Sequence, residues 1–345
     1  SNTAAVGASV AYIDILNKTY TNIGNNVVIK GQVDYAGYLL LKALATENLM
    51  SILFGAGNSD KAAINASVAY KNITSDTRAT IGDHSNIKVP NLEIVAEDHT
   101  KMIGVIGGIT ISKKVGIGGA SDVNEFNKKV YAHIGNSKVN VKYNLTAKVN
   151  SEDYILSIVV GLGGGSNAAV TGSVPVTTIK NDLDAHIDSD EDILVGGDLV
   201  VEATQNDTLI IYAGAISGSK TAAVGLSATN VIISGQIKAY LDVKNLKANS
   251  VTILTNKKDK FSFGSVAGSV SGSISVTGAE LTILVNTAMS SYIGDDSNLS
   301  ITKSLTIKAN HEIDSTSSTG QLAGASTTAI GAGVLVYKLE LSVNS

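Results

Sequence analysis

The chain has 345 residues, 44% of them hydrophobic but only 5% aromatic, with 34 glycines, two prolines and no cysteine. Without cysteine there is no disulfide staple, thiolate metal site or cysteine nucleophile. A net charge of −4, with Arg78 the only arginine among the basic residues, excludes the basic stripe and guanidinium forks of a nucleic-acid binder.

The first stretch, Ala4-Ala5-Val6-Gly7-Ala8-Ser9-Val10-Ala11-Tyr12, returns as Ala62-Ala63-Ile64-Asn65-Ala66-Ser67-Val68-Ala69-Tyr70, again from Ala168 and Ala222, and last from Thr328. Alternate residues of a strand face opposite sides. Val6, Ala8, Val10 and Tyr12 are the expected core face. Ala5, Gly7, Ser9 and Ala11 are then a small-residue face against which something packs closely. Polar turns are expected next, at Asn17-Lys18-Thr19 and Thr74-Ser75-Asp76. They lead into a strand that ends at an Ile-Gly-Asp-like anchor.

The anchors are Ile23-Gly24-Asn25, Ile81-Gly82-Asp83, Ile134-Gly135-Asn136, Ile187-Asp188-Ser189, Leu241-Asp242-Val243 and Ile293-Gly294-Asp295. Their spacings of 58, 53, 53, 54 and 52 residues define a repeat. Such a period marks an array in which each unit buries its core against its neighbours. The units run approximately over 4–61, 62–114, 115–167, 168–221, 222–273 and 274–327, with a partial unit at 328–345. The first is longer because of extra residues between Gly31 and Gly37. The residues before the anchors, Asn22, Thr80, His133, His186, Tyr240 and Tyr292, form one exposed column if the units stack.

A second apolar strand begins 10–12 residues beyond each anchor, as at Leu92-Glu93-Ile94-Val95-Ala96 and Leu199-Val200-Val201-Glu202-Ala203, with the alternation of a half-buried strand. Leu39–Met50 is the nearest approach to a helical period, but its counterparts elsewhere are strands. Each unit closes with a Gly/Ala-rich stretch and a polar turn, as at Gly165-Ser166-Asn167. Four or more strands per unit, all in register, predict an all-β fold, a β-solenoid of right-handed parallel β-helix type built from repeats of about 53 residues. The repeat length allows two coils per unit or one unusually wide coil. No apolar run reaches the roughly 18–20 residues of a membrane-spanning helix. The chain lacks a signal peptide and opens and closes inside the pattern, as expected of a segment of a longer protein.

The succession Ala-Val-Gly-Ala-Ser-Val-Ala-Tyr, then Thr-x-x-Ile-Gly-Asn/Asp, then Leu-x-Ile-x-Ala resembles the repeats of filamentous-haemagglutinin-like exoproteins of two-partner secretion, leukotoxin-type repeats among them. The resemblance spans essentially the whole chain. It implies a bacterial virulence exoprotein that is secreted or held at the cell surface, an outer-membrane secretion partner for the parent protein, and a role in host-cell attachment or in killing leukocytes. It carries over no residue role.

No constellation points to catalysis, and no catalytic, cofactor-binding or metal-binding residue is expected. The acidic run Asp182–Asp192 offers hard oxygen ligands to calcium but matches no calcium motif; a solvated acidic edge that blocks strand addition is the plainer reading. His133 and His186 sit one unit apart without an evident third ligand. Gly161–Gly165 lacks the Lys-Ser/Thr of a phosphate loop. Arg78, near Asp76 and Asp83, is too isolated for the charged groove of a polysaccharide-degrading β-helix, and fold alone does not license function. Asn-x-Ser/Thr triplets such as Asn17-Lys18-Thr19 and Asn144-Leu145-Thr146 are expected by chance in so Asn- and Thr-rich a chain. A host-cell surface contacted through an extended face is the main expectation, with loops such as Gly31–Gly37 as candidates. A spacer without ligand, a cytolytic segment and an enzyme are the alternatives.

Overall fold

A computed structural model describes residues 3–32 and 37–345. Their strands, all parallel, join into one 15-stranded sheet wound as a β-solenoid. The strands are β1 (Ala4–Ile23), β2 (Val28–Lys30), β3 (Leu39–Ser59), β4 (Ala62–Ile81), β5 (Asn86–Val89), β6 (Leu92–Ser112), β7 (Val115–Ile134), β8 (Lys138–Val141), β9 (Leu145–Gly165), β10 (Ala168–Val195), β11 (Asp198–Ser219), β12 (Ala222–Ser271), β13 (Ile274–Ile293), β14 (Asn298–Gly324) and β15 (Thr328–Asn344).

One repeat is one coil. The anchors pair across successive coils as Ile23, Ile81, Ile134, Ile187, Leu241 and Ile293. A coil has a long first side such as β4, a short second side such as β5 and a long third side such as β6. In β10 and β12 the strand continues past the anchor without a break. A long side of 20 residues extends about 66 Å at roughly 3.3 Å per residue, so the coil is wide and flat. Three sides, rather than four or more strands, make a unit.

The cross-section has a broad end and a thin edge. At the broad end the three sides enclose a branched aliphatic core in stacked ladders, with Ile81, Ile87, Leu92, Ile94, Ile134, Val139 and their counterparts all buried. A second cluster lies midway along the two long sides, around Ile73, Met102, Phe126, Ile155, Leu209 and Phe261. Toward the thin edge the long sides converge, and the last cluster is only Ala69, Ile106, Ala120 and Val159. A Cβ on Gly161 would stand 2.9 Å from the carbonyl oxygen of Gly172 on the opposite side, so side chains there must be very small.

The anchor signature has a local cause. The side-chain oxygen of Asn25 accepts the Asp83 N–H at 2.9 Å, Asp83 accepts that of Asn136 at 3.0 Å, and Asn136 accepts that of Asp190 at 3.1 Å. Glycine precedes the Asp or Asn because the previous coil's side chain lies across it: a Cβ on Gly82 would collide with Asn25, and one on Gly135 with Asp83. Ser85, Ser137 and Ser189 form a second ladder in which each hydroxyl accepts the amide of the preceding coil, at 3.1, 2.8 and 3.1 Å. These bonds satisfy backbone donors where the chain turns out of the sheet.

The expected core face is reversed. Val6, Val10 and Tyr12 are 78%, 76% and 70% exposed, while Ala63, Ser67 and Ala69 are fully buried. The reason is parity. The expected turns at Asn17–Thr19 and Thr74–Asp76 do not exist, because β1 and β4 run unbroken to Ile23 and Ile81. An inward Ile81 then places every odd-numbered residue of β4 inside, back to Ala63. Leu39–Met50 is strand, within β3. The insertion between Gly31 and Gly37 lies partly outside the described residues.

Candidate interaction surface

Between the two large apolar clusters runs a buried polar spine, absent from the expectations above. Lys128 is enclosed and binds Asp98 at 2.7 Å and Asp153 at 2.5 Å. Lys257 binds Asp207 at 2.6 Å and Asp259 at 2.7 Å, and His311 meets Asp259 at 2.7 Å. Neutral groups complete it: Ser75 donates to Asp98 at 2.5 Å, Asn181 to Asp153 at 2.7 Å and Gln205 to Asp207 at 2.7 Å. Glu47 accepts from Asn17 at 2.5 Å and Thr100 at 3.0 Å. Asp153, Asp207 and Asp259 occupy one inward position on consecutive coils. Burial pushes the Asp207 carboxyl up to about 7; Lys257 opposes this, while Asp153 and Asp259 reinforce it. Burial also disfavours the Lys128 ammonium, but Asp153 and Asp98 outweigh it and hold its pKa above the ordinary lysine value. Closer to the edge, Lys71 binds Asp122 at 2.6 Å and Asn124 at 3.2 Å, and Ser157 donates to Asp122 at 2.7 Å.

The outward side of the first long face is polar and aromatic near the anchors. His133, His186, Tyr240 and Tyr292 stack with ring centroids 4.1, 4.6 and 4.8 Å apart, as the register of the anchor column requires. His186 Nδ1 lies 2.8 Å from Asp184. Burial, with His186 alongside, lowers the His133 pKa to about 4, so this ring is neutral at pH 7. In the next column Arg78 lies between the rings of Tyr20 and Tyr131, at 5.5 and 5.2 Å. Two bonds of 2.6 and 2.8 Å clamp its guanidinium to Asp76. A shallow cleft of about 200 Å³ opens beside Tyr131, lined by Lys180, Asp182, Asp184, Gln236 and Lys238.

Toward the thin edge both outer faces become apolar, while the interior between them is filled by hydroxyls and small groups. Ser173 donates to the Gly214 carbonyl at 2.5 Å, Thr229 to the Gly264 carbonyl at 2.9 Å, and Ser227 pairs with Ser265 at 2.8 Å. Outside stand Ile64, Val68, Val170 and Val174 on one face and Phe54, Ile111, Ile216 and Val270 on the other.

The acidic run lies on β10, and several of its members have separate partners. Asp184 meets His186, the Asp190 carboxylate accepts from Asn136 at 3.4 Å, and Asp192 accepts from Asn245 at 3.2 Å. Among the described residues, no three His, Asp or Glu side chains form a metal-holding group. Gly161–Gly165 ends β9 at the thin edge. Asp83 belongs to the anchor ladder and not to the surroundings of Arg78. The spine had a sequence signal: Lys71 shares the parity of Ile73 and Ile81 on an unbroken strand, and Lys128 that of Val130 and Ile134.

Comparison with known proteins finds no matching family model, no matching curated protein and no matching solved structure.

Proposed function

We propose that this chain is a repeat segment of a large exported bacterial exoprotein and acts by presenting an extended surface to a host cell, not by catalysis. The observation that carries this reading is the register of the outer columns. Stacked coils set like or complementary side chains side by side over several rungs, as in His133–His186–Tyr240–Tyr292, on a frame too continuous to need a loop-built site. The resemblance of the repeat motifs to exported haemagglutinin-like proteins supports the same reading. It adds display at the cell surface or release, with an outer-membrane partner for the parent protein.

Purified protein mixed with leukocytes and epithelial cells, read by flow cytometry with a viability dye, tests it. Saturable binding to intact cells is expected. Binding with dye uptake would make the segment cytolytic. No binding at micromolar concentration would leave it a spacer that holds other parts of the exoprotein away from the bacterium.

A further inference from the structure

The thin edge has its apolar groups on the wrong side for a protein surrounded only by water. On the first long side, outward positions from the edge to the Val10 column carry one charged residue in all coils, Glu280. On the third side, outward positions from the Met50 column to the Asn58 column carry none. Contiguous exposed apolar surface of this kind marks an interaction site. A flat protein partner, or a second copy laid on one face, would cover one side of the blade and leave the other in water. A fluid apolar medium covers both.

We propose that the thin edge is a lipid-inserting blade whose occupant is a bilayer with anionic headgroups. Three observations choose the bilayer. The apolar band on the third side spans eight residue steps, about 26 Å at roughly 3.3 Å per residue, against about 30 Å of hydrocarbon in a bilayer. The tip turns beyond the band hold Lys61, Lys113, Lys114 and Lys220 against a single Asp60, a cationic rim on a chain whose net charge is −4. The opposite border of the band carries interfacial groups: Tyr12 stacked on Tyr70 at 5.4 Å, and Lys101 over the Tyr154 ring at 5.9 Å. Tyrosine and lysine at the edges of an apolar band anchor proteins at lipid interfaces. The inference stands on this surface alone and does not rest on a host receptor.

The chain has no cysteine, so one introduced thiol labels one place. An environment-sensitive fluorophore on Val174→Cys samples the band; on Lys238→Cys it samples the polar half of the same face. With phosphatidylcholine vesicles containing a quarter phosphatidylserine, the Val174 probe is expected to shift to the blue, the Lys238 probe to stay unshifted, and the protein to float with the vesicles. Replacing Lys114 and Lys220 with glutamate is expected to weaken partition onto these vesicles by roughly 30-fold or more, without a change in thermal melt. Vesicles contain no receptor, so failure of host-cell binding leaves this outcome untouched. The proposal is overturned if neither probe shifts and the protein does not float. It is also overturned if the Val174 probe shifts without lipid, in step with protein concentration and a sedimenting dimer, because a second copy would then be the occupant.

Discussion

The broad end and the thin edge are made from the same strands with the same alternation, yet they use it in opposite ways. At the broad end Ile81, Ile134 and Ile187 point inward and fill a three-sided core. At the other end of β4 and β10, Val68 and Val174 point outward while Ser67 and Ser173 point inward. Nothing in the backbone changes between them; what changes is the room inside. Three sides hold apart a space that branched side chains fill, whereas two converging sides leave space for hydroxyls and methyls only. The hydrophobic effect rewards removal of apolar area from water, but only where the volume exists to receive it.

Substitutions test that contrast at several strengths. The largest loss is expected from Lys128→Ala, which leaves Asp98 and Asp153 buried without their cation; removing one partner of a buried ion pair costs about 3–5 kcal/mol. Denaturant unfolding followed by circular dichroism measures it, and an unchanged midpoint would mean that the spine is not held together by charge. Next comes a pair of neighbours at the edge. Ser173→Leu puts a branched side chain where the sheets nearly touch and should cost about 1–3 kcal/mol or more. Val174→Lys alters only the outer face and should stay within about 0.5 kcal/mol. Equal losses from the two would contradict the reversed faces.

The pH dependence is expected to be of intermediate size. Asp207 has a folded pKa of about 7, against an ordinary value of 3.8. Its contribution to stability is therefore fully present below about pH 4 and is lost as pH rises through 7. His133 works in the other direction. With a folded pKa of about 4, below the ordinary 6.5, its contribution is present above 6.5 and lost as pH falls through 4. Subtracting the stability of Asp207→Asn from that of wild type cancels the His133 part. The difference should decline by on the order of 2 kcal/mol between pH 5.5 and 8. A flat difference would mean that Asp207 stays ionised. A smaller loss than these is expected at the broad end's rim. Asn136→Ala removes the acceptor of the Asp190 amide and should cost about 1 kcal/mol, with faster hydrogen exchange at that amide alone.

Much of the architecture was legible because a stacked repeat writes its register into the sequence. The anchor residues, the column from Asn22 to Tyr292 and the strand after each anchor follow from spacing. The orientation of β1 and β4 is not legible for one reason: polar residues at Asn17–Thr19 and Thr74–Asp76 look like turn residues in a strand. Here Asn17 and Ser75 point into the interior toward Glu47 and Asp98. A polar residue inside a strand and one at a turn are indistinguishable until the partner across the coil is known. The role of Lys128 is hidden on the same grounds, because Asp98 and Asp153 lie 30 residues before it and 25 after it in the chain.

The sequence alone therefore settles the period, the parallel stacking and the chemistry of the anchors, because each depends on residues one repeat apart that must be alike to pair. It leaves open the shape of the coil, the distance between its long sides, and hence which alternate face is inside. Those follow only when the two long sides are brought together, since the space between them, set by the short second side and the turns, decides whether valine or serine fits.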